Sequence, residues 1–230
     1  MGENRELGRL MNQDEKIEAY LDFILKANES INLTRITDRD EALILHVEDS
    51  LVGLPEVNKA PDGLYGDLGT GGGFPGVPLA VVTGRDVCFV DSVKKKLAVV
   101  KQGVELLNLP QNVSFFDGRI EDLGREKAGE FSVLTARALS SLGSLLELAS
   151  PLLKMNGCLV CYKAHIDEEE NAGACKVSSL VGMKEISRRE VILSDGVTLR
   201  TIVTYEKIGK SKIALPRRVG LAQKKPLALS

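Results

Sequence analysis

The chain has no tryptophan, two histidines, four cysteines, six phenylalanines and four tyrosines among 230 residues. So few aromatics give no evident platform on which successive bases could stack. No uncharged apolar run approaches the roughly 18 residues that a spanning helix needs, so no membrane partner is expected. The opening stretch MGENRELGRLMNQDEK is polar, without an apolar signal core, and predicts a cytoplasmic protein. Met1-Gly2 is not followed by the Ser or Thr of a myristoylation signal; Leu7 stands nearby instead, and no lipid anchor is read there. Neither charge dominates: 30 basic and 32 acidic side chains leave a net charge of −2, which argues against a general nucleic-acid coater.

The cysteines, Cys88, Cys158, Cys161 and Cys175, are too few for a disulfide scaffold and are expected to be reduced. Cys158 and Cys161 form a C-x-x-C inside GCLVCYKA, which reads as a buried strand. Residues three apart on a strand point to opposite faces, so the two thiols cannot share an ion. No second pair or spaced histidine completes a site, and no metal is expected.

What is present is an ordinary globular composition, 43% apolar and 27% charged. That suits one large domain, or one with a small appendage. Residues 12–53 read as helical. Asn12 or Asp14 caps a helix through Ile17, Tyr20, Leu21, Ile24 and Leu25, and Asp38 or Asp40 starts another through Leu43, Leu45, His46 and Leu51. PEVNKAPDG reads as a turn-rich connector. Strands and helices then alternate: LYGDL, GVPLAVV, VCFVD, KKKLAVVKQGVELL, VSFF, FSVLTA, SLGSLLELASPLL and GCLVCYK. This predicts a parallel sheet covered on both faces. KEISRREVIL and RTIVTYEKI, joined across Asp195-Gly196, predict an antiparallel hairpin closing the sheet. After Glu206 no acid follows, but Lys207, Lys210, Lys212, Arg217, Arg218, Lys224 and Lys225 do. A tail of one sign is a candidate for an anionic partner.

The densest motif is Asp67-Leu-Gly69-Thr-Gly71-Gly-Gly73-Phe-Pro-Gly76, which follows the first strand and opens the first helix after it. Glycines let backbone pass close to a ligand, and the helix start favours an anion. Asp91 ends the second strand, where an acid can take both hydroxyls of a ribose. Two ligands fit at this stage. Gly71-x-Gly73-x-x-Gly76 matches a dinucleotide fingerprint in a shifted frame. Asp67-x-Gly69-x-Gly71-x-Gly73 matches the first motif of class I methyltransferases that use S-adenosylmethionine.

Absences narrow the second reading. No Asn-Pro-Pro-Tyr or Asp-Pro-Pro-Tyr follows the fourth strand, as an amino-group methylase would need. No Pro-Cys supplies a nucleophile for pyrimidine carbon-5, and no general base is evident. These fit a nucleophile with no proton to lose, such as guanine N7, for which positioning and electrostatic matching suffice. Three rivals stand beside it: a small-molecule methyltransferase, an NAD-dependent oxidoreductase, and a ribosome-assembly factor without turnover.

Five blocks in order resemble the bacterial small-subunit rRNA guanine-N7 methyltransferase family, RsmG or GidB. They are INLTRITDRDEALILHVEDSL, DLGTGGGFPGVPLA, VDSVKKKLAVVK through FFDGRIEDL, TARALSSL, and PRRVGLAQKKPL. The resemblance implies a class I α/β fold, Rossmann-like, with a mostly parallel seven-stranded sheet and an N-terminal helical extension. The expected divisions are 1–60 for the extension, 61–210 for the methyltransferase domain and 211–230 for the basic tail. It implies S-adenosylmethionine as cofactor, 16S rRNA or the small subunit as partner, and a monomer. Gly69, Gly71, Phe74, Asp91, Ile120, Glu121 and Arg137 are the expected cofactor residues. His46, Lys163, Arg217 and Arg218 are the expected RNA contacts, with Arg137 and Lys163 also candidates for a catalytic role. The chain departs from the family pattern at Lys163-Ala164, where Lys-Gly is usual, and within the tail.

Overall fold

A computed structural model describes residues 11–227. Most of the polar opening stretch, Gly2 and Leu7 included, and the last three residues of the tail lie outside it. The first helix, α1 (Gln13–Ile31), begins with a reciprocal cap: the Asn12 side chain accepts from Glu15 N while the Glu15 carboxylate accepts from Asn12 N. Its stripe of Ile17, Tyr20, Leu21 and Ile24 is buried. Asp38 caps a second helical segment, α2 (39–51), whose middle, Leu43–Glu48, widens into a π turn. The connector expected after it instead carries a short helix, α3 (Leu54–Lys59), opened by Pro55 in its first turn.

Seven strands follow in one sheet: β1 (Leu64–Leu68), β2 (Val87–Val90), β3 (Val113–Phe116), β4 (Phe131–Arg137), β5 (Leu153–Lys163), β6 (Met183–Ile192) and β7 (Leu199–Lys207). Their order is β3-β2-β1-β4-β5-β7-β6. All neighbours are parallel except β7, which runs antiparallel to β5 and β6. The crossovers are α4 (Gly76–Thr83), α5 (Lys94–Leu107), α6 (Ile120–Glu126), α7 (Leu142–Ala149) and α8 (Glu168–Val181). The last of these was not evident in the sequence. A single turn, α9 (Leu221–Lys224), lies within the tail. The order in which strands are added reverses between β1 and β4, which opens a crevice at their carboxyl ends.

Two cores cover the sheet's faces. One packs α1, α4 and α5 on Tyr65, Phe89, Val133 and Tyr162; the other packs α6, α7 and α8 on Leu134, Leu159, Val203 and Tyr205. The N-terminal helices therefore share a core with the sheet. Cys158 lies in the first core and Cys161 in the second, on opposite faces. Burial pushes their thiols up to about 11 and about 12, so both are protonated at neutral pH. Lys207, counted in sequence with the basic tail, is buried. Its Nζ donates to the carbonyls of Ser150 and Val181 at the ends of α7 and α8.

Candidate functional site

A cavity of about 320 Å³ occupies the crevice, within the size range of small-molecule sites. Its floor is the glycine loop. Gly69, Gly71 and Gly73 all have positive φ, at 68°, 57° and 87°. The loop is held from three sides. Asp67, fully buried at the end of β1, accepts from Gly76 N at 3.1 Å and from Thr135 Oγ1 at 2.7 Å. Burial pushes the Asp67 carboxyl up to about 6, against those two hydrogen bonds. From α1, Tyr20 donates its hydroxyl to Gly72 O at 3.0 Å. From the end of β2, Asp91 accepts from Gly71 N at 2.9 Å and from Val93 N at 2.8 Å.

Gly69, Gly71, Phe74, Asp91, Ile120, Glu121 and Arg137, expected at the cofactor, all line this one cavity, and so does His46. Each arrives for a local reason. The π turn lies where His46 leaves α2, and its ring stacks on Phe74 with centroids 4.7 Å apart and planes within 10°. Its Nε2 sits 3.0 Å from Thr34 Oγ1, while Nδ1 is buried without a partner. Burial, with Arg137 nearby, lowers its pKa to about 4, so the ring is neutral at pH 7. Arg137 leaves the end of β4, and its Nη1 donates to Asp49 at 2.6 Å and to Leu45 O at 3.1 Å. Asp49, 1% exposed, is also held by Arg200 Nε at 2.6 Å. The anionic partner that an arginine on an apolar strand needs is thus a carboxylate of α2.

Three other expected residues sit elsewhere. Lys163 does not line the cavity. Its ammonium pairs with Glu170 at 2.7 Å and reaches Ser140 O at 3.3 Å. Glu170 also accepts from Leu142 N, so the pair fastens the loop after β4 and its charge is neutralised. Arg217 is likewise paired within the fold. Its guanidinium forms a two-pronged pair with buried Glu147, both bonds 2.7 Å, and donates to Lys225 O. It anchors the tail and presents no free cation. Arg218 is exposed.

The sequence reading missed part of the wall. Thr34, Lys96, Arg119 and Leu139 line the cavity, as do Gly220 and Gln223 from the tail. The tail is brought there by Glu121, whose carboxylate accepts from Gly220 N at 2.6 Å. All six stood inside the quoted blocks, which was the available signal, but nothing singled them out within those blocks.

The cavity suits S-adenosylmethionine on its own features. A Cβ on Gly69 would lie 2.7 Å from Leu139 Cδ1, so the loop backbone forms the wall directly. Asp91 keeps acceptor capacity beyond its two backbone bonds for a ribose. Ile120 and Glu121 line the same cavity as Asp91.

This sheet order, glycine loop and strand-end acid define a class I S-adenosylmethionine-dependent methyltransferase. Solved structures share the fold. A SAM-dependent O-methyltransferase from Thermotoga maritima superposes with a TM-score of 0.55 at 11% identity, covering 83% of this chain and 73% of that one. The tRNA (m1A58) methyltransferase TrmI of Aquifex aeolicus gives 0.51 at 14%, covering 73% and 71%. A Burkholderia thailandensis 1,6-didemethyltoxoflavin-N1-methyltransferase with bound S-adenosylhomocysteine gives 0.51 at 16%, covering 70% and 77%.

The family described as GidB, rRNA small subunit methyltransferase G, matches residues 13–217, and the chain belongs to it. Relatives named ribosomal RNA small subunit methyltransferase G agree. That of Alkaliphilus metalliredigens is 32% identical, covering 94% of this chain and 91% of its own. That of Lactobacillus helveticus is 34% identical over the same shares.

Proposed function

We propose that the protein transfers a methyl group from S-adenosylmethionine to N7 of one guanine in 16S rRNA of the small subunit. Family membership supplies the methyltransferase chemistry and the rRNA class. The observation that carries the guanine-N7 reading is the weakness of the bases in the cavity: the pKa of its one histidine is lowered to about 4, and its carboxylates, Asp91 and Glu121, already accept from the backbone amides of Gly71 and Gly220.

S-adenosylmethionine, when bound, supplies a methyl group on a positively charged sulfur. The chain's own residues then have four tasks. Asp91 binds the ribose, and the Gly69 end of the loop, whose Thr70 and Gly71 amides already donate to Val90 O and Asp91, receives the amino-acid end. Ile120 and Glu121 hold the adenine. The stacked Phe74 and His46 exclude water beside the methyl. His46 stays uncharged, which avoids repelling the positive charge that appears on a guanine methylated at N7. N7 carries no proton, so no residue has to remove one, and the remaining work is alignment.

The buried Nδ1 of His46 is the contact we assign to the substrate base. Arg137, fixed by Asp49, faces either the amino-acid end of the cofactor or that base. Arg218 is the tail residue assigned to RNA phosphate. We read the protein as a monomer acting where ribosomes are made, in the cytoplasm. No described helix is long and apolar enough to cross a membrane, and among the described residues no three metal-ligating side chains cluster.

The test uses labelled S-adenosylmethionine and small subunits from cells lacking this activity. Digestion to nucleosides should place the label in N7-methylguanosine at one position. Label in any other nucleoside would overturn the N7 assignment.

A further inference from the structure

Among the described residues most of the arginines are engaged, whereas many lysines are not. Arg39, Arg125, Arg137, Arg188, Arg189, Arg200 and Arg217 form ion pairs, and Arg85 donates to the carbonyls of Val57, Ala60 and Pro61. Three that have no such partner converge on one place. Lys26, Arg35 and Lys96 line an open groove beside the cofactor cavity, with Glu29 as its only carboxylate. The two depressions are continuous, since Leu33, Thr34 and Lys96 belong to both.

The groove is built, not a chance of surface side chains. Its central loop is pinned by Asn28, which accepts from Leu33 N at 2.6 Å and Thr34 N at 2.9 Å and donates to Thr34 O at 3.0 Å. Its far wall begins α5 against the usual rule. That helix of 14 residues opens with Lys94, Lys95 and Lys96, has no acid in its first turn, and has no capping side chain. Cations at a helix start oppose its dipole, and an anion there relieves both. Past the shared Thr34, whose hydroxyl meets its Nε2, His46 lines the adjoining cofactor cavity, 8% exposed and with Nδ1 unpartnered.

We propose that the RNA strand flanking the target base leaves the cavity across Thr34 and runs along this groove. Its phosphates lie on Lys26, Arg35 and Lys96, with Asn32 and Thr37 facing the sugars. The inference rests on the rRNA reading above and adds the path of the substrate. It divides the labour of binding: the groove carries the strand next to the reacting base, and the tail closes the cofactor cavity through Gly220.

The test is a double variant, K26Q/R35Q. Neither residue lines the cofactor cavity, so calorimetry with S-adenosylhomocysteine should give the unaltered affinity. Binding of a fluorescently labelled single-stranded RNA of mixed sequence is then followed against salt. Each phosphate contact on a single strand contributes about 0.7 to the slope of log K on log salt, so the slope should fall by about 1.4. Affinity should weaken about tenfold or more, and KM for unmethylated subunits should rise with kcat retained. The charge-preserving K26R/R35K variant should restore the slope. An RNA affinity and salt slope equal to those of the unaltered protein would overturn the groove. If the unaltered protein moves no methyl to small subunits, the underlying rRNA reading falls instead.

Discussion

The imidazole of His46 lies flat on the ring of Phe74, 4.7 Å away, and so ties the N-terminal helices to the glycine loop. Tyr20 meets the same ring edge-on at 5.6 Å. The helices before residue 60 are therefore part of the cofactor cavity's wall, and Phe74 is the residue they share.

His46 titrates near 4 in the folded protein against 6.5 for a free imidazole. Between those values the unfolded chain binds the extra proton, so this residue's contribution to stability grows as pH rises from 4 to 6.5. The full span is on the order of 3 kcal/mol. Asp67, raised from 3.8 to about 6, has the opposite sign over nearly the same window, and the two partly cancel in the unaltered protein. Urea unfolding of His46→Phe should reveal this: the variant, keeping a ring on Phe74, should lose stability from pH 4 to 6 relative to the unaltered protein. Parallel curves would refute the depressed His46 value.

A side chain at Gly73 has nowhere to go. Its Cβ would lie 2.0 Å from Tyr20 Oη, at a φ of +87°. Gly73→Ala should cost at least about 2 kcal/mol and weaken cofactor binding. Gly84 shares a positive φ but has nothing within 4 Å of the same position. Gly84→Ala should cost only about 1 kcal/mol and leave the cofactor site intact. Thermal unfolding of the pair separates close packing from backbone strain; equal losses would show that packing on Tyr20 contributes little.

Asp49 is a positioning residue between two guanidiniums, Arg137 and Arg200. Asp49→Asn leaves both short of a charge in a buried place, and should destabilise by about 3 kcal/mol or more. Turnover should fall tenfold or more as Arg137 loses its fixed geometry. Arg200→Gln should lower stability but leave turnover within about threefold, because Arg137 keeps Asp49. Unfolding midpoints and kcat measured together decide; unchanged kcat in Asp49→Asn would remove Arg137 alignment from the mechanism.

Asp91→Ala should weaken S-adenosylhomocysteine binding by at least about tenfold, since it removes the ribose acceptor and the anchor of Gly71 N together. Calorimetry reads this directly, and an unaltered Kd would take Asp91 off the ribose.

Much of the site was legible because its signals are local. A glycine run after an apolar strand permits the positive φ that Gly69, Gly71 and Gly73 adopt, and an acid ending the next parallel strand lands beside it by sheet geometry. Gly69, Gly71 and Asp91 needed nothing further. Helix α8 was missed because Glu168–Val181 has a weak apolar stripe, with small residues Gly173 and Ala174 at its buried positions. Helix α3 was missed because proline and asparagine read as turn formers, although proline is at home in a first helical turn.

Charge was the part the sequence misdirected. A run of lysines and arginines without acids in the tail counts as free charge only while distant carboxylates are out of sight. Glu147 and Arg217, 70 residues apart, neutralise each other. Likewise Lys163 meets Glu170, and Lys207 is buried under two helix ends. The sequence by itself determined the strands and the place of the glycine loop, because these follow from backbone preferences and short-range periodicity; the choice of S-adenosylmethionine over a dinucleotide came with the five blocks that resemble the family. Only the tertiary structure decided which cations stay unpaired, since an ion pair depends on where the fold brings the second partner. That is why the proposed RNA path lies along Lys26, Arg35 and Lys96, which come from three separate stretches of the chain that only the fold brings together.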